Sequence, residues 1–336
     1  MERTSNLQTT GVVPVKQPEL AAPRNPGVPL NLGWITNVHI NRSAVERRAA
    51  TLPARRGVKK QYQTAWLLKA ITLIDLTTLA GDDTEQRVAR LCHKALHPVR
   101  SDILEALGAT DLPIKAGAVC VYHEMIPAAK RALGNSGMPI AAVSTGFPAG
   151  LSPEHLRIEE IKESVAAGAT EIDIVISRRY VLQGNWQALY NEIKAYRQAC
   201  GEAHLKTILA TGELATFEQV YQASMVCMMA GADFIKTSTG KESVNATVPV
   251  SLVMIRAIRD YFERTGQRVG FKPAGGLRTA KDALTWLALV KEELGREWLE
   301  PELLRFGASS LLTDIERQLE HQATGAYSAA HRHPAG

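Results

Sequence analysis

Three lysines stand inside segments that are otherwise apolar. They are Lys206, Lys236 and Lys272, in the segments HLKTILAT, ADFIKT and VGFKP. Lysine is almost never fully buried without a partner, so three such positions need a chemical or structural reason. Two ammonium groups that lie close together in a partly desolvated interior repel each other, which lowers a lysine pKa. A neutral amine is the nucleophile that attacks a carbonyl and forms a Schiff base.

An alternative is that each lysine pairs with a buried carboxylate. Asp75 ends the apolar run ITLID, and Asp173 lies in EIDIVI. This alternative weighs most for Lys206 and less for Lys236 and Lys272. Cys120, in AVCVY, is more typical of a core residue than of a nucleophile.

Eight short apolar runs alternate with helical segments from Ile71 onwards. Runs that are apolar at nearly every position are typical of strands buried on both faces, as in parallel sheets. Ser, Thr, Asn or Asp opens most of the helices and glycine closes several of them. The strands are expected at 71–75, 118–122, 140–145, 171–176, 204–211, 232–237, 269–273 and 306–312, each followed by a helix.

This pattern predicts an α/β fold, a (β/α)8 TIM barrel. Residues 71–322 form a stretch of 252 residues, close to the roughly 250 typical of that barrel. The alternative is a doubly wound open sheet, but ITLIDLTTLAGDD lacks the GxGxxG usual after its first strand. We assign residues 1–70 to an N-terminal extension, partly disordered and then helical, and residues 323–336 to a polar C-terminal tail.

The barrel brings the candidate residues together. Its active site lies at the carboxyl ends of the strands. Neighbouring strands are about 4.8 Å apart, so Lys236 and Lys272 approach closely if both point inward. The loops KPAGGLRT and FGASSLL follow strands 7 and 8, where barrels commonly bind phosphate through backbone N–H groups. The candidates for this are Gly275, Gly276, Gly307, Ser309 and Ser310.

Two other functional motifs are present only in part. TSTGK resembles the end of a P-loop, but Ile235 and Glu242 stand where that motif needs Gly and Ser or Thr. His123-Glu124 does not continue as HExxH, and we expect no metal site. His331 and His333 lie in the polar tail, and we expect no special role for them.

Composition restricts the class of protein. The chain has 336 residues, 45% hydrophobic and 22% charged, without a run of 18 apolar residues that would predict a membrane span. The N-terminus lacks the apolar region of a secretory signal. Four scattered cysteines without CxxC spacing indicate reduced thiols, so we expect a cytoplasmic protein that does not bind membranes.

The positive charge is concentrated in the extension. Residues 1–60 carry a net charge of +7, whereas the rest of the chain carries −2. The densest basic part is RRGVKK (55–60), which is typical of a solvated helix flank and less often of a contact with nucleic acid or a protein partner. We therefore do not expect nucleic acid as the main partner. Residues 1 to about 33 are rich in Pro, Gly, Asn and Thr, and we expect them to be mobile.

Taken together, these motifs resemble the 2-deoxyribose-5-phosphate aldolase family of class I aldolases. The extension, with NLGWI and WLLKAITLIDLTTLAGDD, looks more like the longer animal-type members than the short bacterial ones. The matching segments span the whole predicted barrel. They are LIDLTTL (73–79), EIDIVI (171–176), LKTILATGEL (205–214), GADFIKTSTGK (231–241), VGFKPAGGLRTA (269–280) and RFGASSLL (305–312).

The resemblance implies roles for individual residues. Lys236 would form the Schiff base, Lys272 would lower its pKa, and Asp173 would act as acid and base through water. The five phosphate candidates match the family's phosphate-holding segments, and Cys120 matches a cysteine at the acetaldehyde end of the pocket. The remaining assignments are Thr237, Asp75 and Lys241 as substrate-binding residues, and Lys206 in support.

The implied reaction is the reversible cleavage of 2-deoxy-D-ribose 5-phosphate to D-glyceraldehyde 3-phosphate and acetaldehyde. It would need neither a metal nor an organic cofactor, because the iminium is the electron sink. The partners would then be the small phosphorylated sugar and acetaldehyde, and a homo-oligomer is left open. Two departures from the family are Tyr122-His123, where Tyr-Pro is frequent, and Tyr327, which lies nine residues before the end.

Two other functions remain to be weighed. One is a different lysine aldolase or transaldolase-like enzyme, which activity on ketose phosphates would distinguish. The other is a binding or scaffolding protein that uses the basic extension, which deletion of residues 1–60 would test.

Overall fold

The computed structural model describes residues 24–54 and 57–334, and its centre is a ring of eight parallel strands. Most strand residues are fully buried, since side chains fill the inside of the ring and helices cover its outside. The strands are β1 (Ile74–Thr77), β2 (Ala118–Tyr122), β3 (Ile140–Ser144), β4 (Glu171–Val175), β5 (His204–Ile208), β6 (Phe234–Lys236), β7 (Gly270–Lys272) and β8 (Phe306–Ala308).

The strand order follows the chain and closes on itself. The order is β7-β6-β5-β4-β3-β2-β1-β8, so β1 pairs with both β2 and β8. Between β7 and the segment that leads into β8, Phe271 N donates to Leu303 O at 2.9 Å and Arg305 N donates to Phe271 O at 3.0 Å. These bonds join the β7 and β8 sides, and the predicted (β/α)8 barrel is confirmed.

Helices follow the strands and form the outer layer. Six of the described helices begin with a Thr or Asn side chain that accepts a first-turn N–H: Asn41, Thr84, Asn185, Thr216, Thr247 and Thr279. The helices are α1 (Arg42–Ala54), α2 (Gln61–Thr72), α3 (Glu85–Leu96), α4 (Ser101–Ala106), α5 (Ile126–Leu133), α6 (Glu154–Ala167), α7 (Arg178–Leu182), α8 (Trp186–Cys200), α9 (Phe217–Met229), α10 (Val248–Thr265), α11 (Ala280–Leu294) and α12 (Leu311–Thr324).

Several local expectations need correction. The first strand begins at Ile74 rather than Ile71, because α2 continues to Thr72. The last strand ends at Ala308, and Leu311 already belongs to α12. Sequence patterns did not predict the short helices α4 and α7. The first helix is capped by Asn41, whose Oδ1 accepts Ala44 N at 2.9 Å.

The described part of the extension packs against the barrel's outer helices. Asn25 is 3% exposed, and its Nδ2 donates to Met228 O at 2.7 Å and Ala232 O at 2.9 Å. The expectation of mobility therefore needs correction for residues 24–33, since Asn25 anchors them below β6. Residues 1–23, and Arg55 and Arg56 of the basic segment, lie outside the described residues.

Part of the extension's positive charge is used for this packing. Arg48 of α1 contacts Glu292 at 2.8 Å and Glu293 at 3.1 Å, both on α11. Arg42 pairs with Glu46 within α1 at 2.7 Å. These pairs lie outside RRGVKK, of which Lys59 and Lys60 are described and exposed, and the interpretation of that segment as a helix flank stays a prediction.

The C-terminal tail folds back on α12. His333 is 1% exposed, and its Nε2 lies 2.8 Å from Glu320 Oε2 and 2.9 Å from Ser328 Oγ. The expectation that His333 has no special role is therefore wrong, because its ring is the buried contact of the tail. His331 is exposed. No helix in the described ranges is long and apolar enough to cross a membrane.

Candidate active site

Two lysines at the carboxyl ends of β6 and β7 meet an aspartate from the middle of β4. Lys236 and Lys272 are the last residues of their strands and are partners in the sheet register. The Nζ atoms of both lysines donate to Asp173 Oδ2, each at 2.7 Å. The three residues are almost fully buried. The approach of the two lysines that we expected from neighbouring strands is present, with a carboxylate between them.

The two lysines differ in their surroundings, and so in their protonation. Burial lowers the pKa of Lys236, and the positive charge of Lys272 lowers it further, against the opposing effect of Asp173. For Lys272, burial is outweighed by Asp173 and Asp75, which raise its pKa. Lys272 therefore remains an ammonium ion where Lys236 more readily becomes the free amine. Lys272 contributes to this difference as expected, but burial is the larger cause.

Asp173 stays ionised although it is fully buried. Burial raises its pKa, but Lys206, Lys236 and Lys272 lower it well below its usual range. Its Oδ1 makes no hydrogen bond within the described residues and lies 3.5 Å from Lys206 Nζ. A carboxylate with one free oxygen beside an amine is able to accept and return a proton.

Lys236, Lys272 and Asp173 form an upper layer of ionisable side chains, and Lys206 belongs to a lower layer, further from the carboxyl ends of the strands. Its Nζ contacts Asp75 Oδ2 at 3.1 Å and also a carboxylate oxygen of Glu171. Burial is outweighed by Asp173, Asp75 and Glu171, which raise the pKa of Lys206. The alternative of carboxylate pairing is thus confirmed for Lys206, and Lys236 and Lys272 also contact a carboxylate, that of Asp173.

Arg305 completes this layer. Its Nη1 donates to Asp75 Oδ1 at 2.6 Å, and its Nη2 donates to Glu171 Oε1 at 2.8 Å. Sequence reasoning missed Arg305 and Glu171 as members of the site. A signal was present for Glu171, because it lies two residues before Asp173 and alternate strand residues face the same side.

A cavity of about 250 Å³ opens above Lys236. All five residues proposed for phosphate binding line it, as do Lys236 and Lys241. The other lining residues are Thr77, Leu79, Thr239, Gly240, Ala274, Leu277, Arg278 and Ala308. The loops after β6, β7 and β8 therefore form one wall of the cavity.

Two glycines in this wall are required by its geometry. Gly275 has φ +77°, and a Cβ there would lie 2.6 Å from the Asn245 side chain. Gly307 has no room for a Cβ, which would lie 2.8 Å from the Cβ of Ala274. Because neither glycine has a side chain, the backbone at both positions is accessible to a ligand.

The cavity also has a positive rim. The exposed side chains of Lys241 and Arg278 lie at its edge. Sequence reasoning singled out Lys241 but missed Arg278, although Arg278 follows the glycine pair of the same loop. Two cations at the mouth favour an anionic ligand.

Three other predicted site residues lie outside the cavity lining. Thr237 is fully buried, and its Oγ1 accepts Ala274 N at 3.0 Å, so it joins the ends of β6 and β7. Asp75 lies in the lower layer with Arg305 and Lys206. Cys120 is 1% exposed near the two upper lysines, and burial raises the pKa of its thiol.

The two departures from the family pattern lie in different places. His123 follows β2 and is partly exposed, with its Nε2 3.4 Å from Glu124 Oε1. Tyr327 stacks on His321, in the last turn of α12, with ring centroids 4.5 Å apart. The cavity residues Ser309 and Ser310 precede the first turn of the same helix, so Tyr327 lies at the opposite end of α12.

Comparison with known proteins decides the family. Residues 69–315 match the model of the DeoC/LacD family aldolase. The chain belongs to this aldolase family. It is 60% identical over 312 residues to the human deoxyribose-phosphate aldolase, covering 92% of this chain and 98% of the human one. It is 61% identical over 310 residues to the mouse deoxyribose-phosphate aldolase, with the same two coverages.

The fold of this DeoC/LacD aldolase also has a solved counterpart. A structure from Toxoplasma gondii aligns with a TM-score of 0.66 at 19% identity, covering 80% of this chain and 98% of the other. At this identity the likeness concerns the fold alone. The family match covers every strand, from β1 to β8, and therefore Lys206, Lys236, Lys272 and the carboxylates that contact them.

Proposed function

We propose that this aldolase catalyses the reversible cleavage of 2-deoxy-D-ribose 5-phosphate to D-glyceraldehyde 3-phosphate and acetaldehyde. The observation that carries the proposal is Lys236, a buried lysine with a lowered pKa at the floor of a cavity with a cationic rim. The names of the human and mouse relatives support the choice of substrate.

The first steps use Lys236 as the nucleophile. Its free amine attacks C1 of the open-chain aldehyde, and loss of water from the carbinolamine gives an iminium ion. Asp173, with Oδ2 at 2.7 Å from Lys236 Nζ, accepts the proton that the attacking amine loses and passes it to the carbinolamine oxygen, through water where the substrate is out of reach. A second proton, taken from solvent, lets that oxygen leave as water.

Cleavage then depends on the iminium as electron sink. Removal of the proton from the C3 hydroxyl breaks the C2–C3 bond, releases D-glyceraldehyde 3-phosphate and leaves an enamine on Lys236. Protonation at C2 and hydrolysis return the free lysine and acetaldehyde. Lys272 keeps its charge throughout, and its positive field favours the amine form of Lys236 between cycles.

The glycine and serine loops fit the other end of the substrate. Backbone around Gly275, Gly276 and Gly307, with Ser309 and Ser310, supplies donors for the 5-phosphate. Lys241 and Arg278 add positive charge at the rim. In this arrangement the phosphate fixes the sugar so that C1 faces Lys236.

Reductive trapping tests the proposal directly. Borohydride added with 2-deoxy-D-ribose 5-phosphate should leave a covalent adduct on Lys236, which peptide mass spectrometry will locate. Lys241→Met is the matched control, because it keeps Lys236 and should still form the adduct. An adduct on another lysine, or none, contradicts the proposal. Faster turnover of ketose phosphates would instead favour a transaldolase-like enzyme.

We also propose that the reaction takes place in the cytoplasm. All four cysteines are free and buried, as expected for a reducing compartment. Recovery of the full chain in an organelle or secreted fraction after cell fractionation would refute this location.

A further inference from the structure

Seven ionisable side chains form a continuous cluster inside the barrel. Each of them is at most 4% exposed as a residue, and each contacts at least one other member. The members are Asp75, Glu171, Asp173, Lys206, Lys236, Lys272 and Arg305. Three are carboxylates and four are bases.

The lower layer holds charges that lie away from the cavity. Glu171 is bound by Arg305 and Lys206, and neither Glu171 nor Arg305 lines the cavity or contacts Lys236. Arg305 also holds Asp75 Oδ1, while Asp75 Oδ2 contacts Lys272. The charges of Glu171 and Arg305 are therefore linked to the upper layer through Asp75 and Lys206.

Protonation within the cluster follows a simple count. Despite burial, the attraction of their basic neighbours lowers the pKa of Asp75, Glu171 and Asp173, so all three are negative. Despite burial, the carboxylates raise the pKa of Lys206, Lys272 and Arg305, so all three are positive. Three negative and three positive charges leave the cluster neutral when Lys236 is an uncharged amine.

A proton on Lys236 would give a buried cluster with one excess charge. Placing an unbalanced charge in a desolvated interior is costly, and the group responds by releasing its proton. We propose that the buried pair of Glu171 and Arg305 sets the charge balance of the cluster, in which the charge of Arg305 favours the free amine of Lys236 and the charge of Glu171 opposes it. The inference rests on the proposed role of Lys236, but it concerns two residues that do not touch the substrate.

The groups that face Lys236 from the surrounding strands are consistent with this count. They are Asp173 from β4, Lys272 from β7 and Cys120 from β2, with Lys206 and Asp75 further below. Cys120 adds no charge, because burial raises the pKa of its thiol. A change in the lower layer must therefore be compensated among these groups, and Lys236 is the uncharged base among them.

Substitutions in the lower layer that remove a negative or a positive charge should shift the pKa of Lys236 in opposite directions. Glu171→Gln removes a negative charge and should lower the apparent pKa of Lys236 by about one unit, whereas Arg305→Gln should raise it by about one unit. The double variant Glu171→Gln/Arg305→Gln restores the charge balance of the cluster, so the pKa of Lys236 should return close to its original value. Arg305→Lys keeps the positive charge and should leave the pKa of Lys236 unchanged.

Competitive acetylation of the full chain with trace acetic anhydride across a pH series measures this pKa for each lysine. The method needs no turnover, so a failure of the aldolase proposal would not hide the result. Circular dichroism checks folding, and if Arg305→Gln does not fold, Glu171→Gln and Arg305→Lys still decide the question.

Shifts of opposite sign that cancel in the double variant support the proposal. A purely structural role would weaken folding in both single variants without opposite shifts. Equal shifts in one direction, no shift of Lys236, or a double variant that does not cancel would overturn it.

Discussion

Lys236 and Lys272 are register partners on adjacent strands, and their Nζ atoms share one oxygen of Asp173, each at 2.7 Å. The shared carboxylate leaves the two lysines with different pKa values, because Lys272 also contacts Asp75. The second carboxylate secures the proton of Lys272, and Lys236, at the cavity, is left with the lowered pKa. Two paired lysines thus differ in protonation, since the pKa of Lys272 is raised and that of Lys236 is lowered.

Replacing Lys272 should move the pH dependence of the enzyme. Lys272→Met removes a positive charge that lowers the pKa of Lys236, so that pKa rises and more of Lys236 is protonated at neutral pH. The acidic limb of the kcat/KM profile should move up by about one pH unit or more, with at least about tenfold lower activity near pH 7. Steady-state kinetics between pH 5 and 10 will show this.

Lys272→Arg is the matched control for this experiment. It keeps the charge, so the limb should stay near its original position even if the rate falls through altered contacts with Asp173. An acidic limb that moves equally in both variants, or in neither, would show that the charge of Lys272 does not set the protonation of Lys236.

The sequence predicted the barrel and the meeting of its two upper lysines for a physical reason. Strands buried on both faces and helices with capping residues repeat eight times, and parallel neighbours place their carboxyl ends at one edge. Lys236 and Lys272 each end such a strand, so their proximity follows from the topology. The first strand was misplaced because the apolar run at Ile71 fits the end of a helix as well as a strand.

Contacts between side chains from distant segments could not be predicted from the sequence. Arg305 and Glu171 are 134 positions apart, and their bond depends on barrel register and side-chain direction, which a single sequence does not specify. Thr237 illustrates the converse, because it neighbours Lys236 in the chain but its hydroxyl bonds to the backbone of Ala274. Residue type and strand position indicate the candidates for a site, whereas tertiary packing decides which of them reach the cavity.

Arg278 should contribute to binding of the phosphorylated end of the substrate. Arg278→Ala removes a cation from the cavity rim, so KM for 2-deoxy-D-ribose 5-phosphate should rise about fivefold to tenfold with little change in kcat. Activity on unphosphorylated 2-deoxy-D-ribose should be unaffected, since the lost interaction is with the phosphate. Initial-rate kinetics on both sugars measure the difference.

Lys281→Ala serves as the control for Arg278→Ala. Lys281 is exposed in the first turn of α11, in the segment that follows the same loop, and does not line the cavity. The variant should keep the original KM. A similar loss on both sugars after Arg278→Ala would mean that Arg278 supports the loop rather than the phosphate.

The C-terminal tail offers a test of a contact that the sequence concealed, because two histidines of one polar segment differ in burial. His333→Ala removes the ring that contacts Glu320 and Ser328, and leaves these buried partners without it. We expect a loss of about 1–2 kcal/mol in the free energy of unfolding, together with faster hydrogen exchange across residues 326–334. His331→Ala, at an exposed position, should change neither quantity. Denaturant unfolding and exchange mass spectrometry on both variants measure these effects, and equal behaviour of the two would mean that the buried ring does not hold the tail. Because the tail contacts lie along α12, away from Lys236, aldolase activity should survive in both.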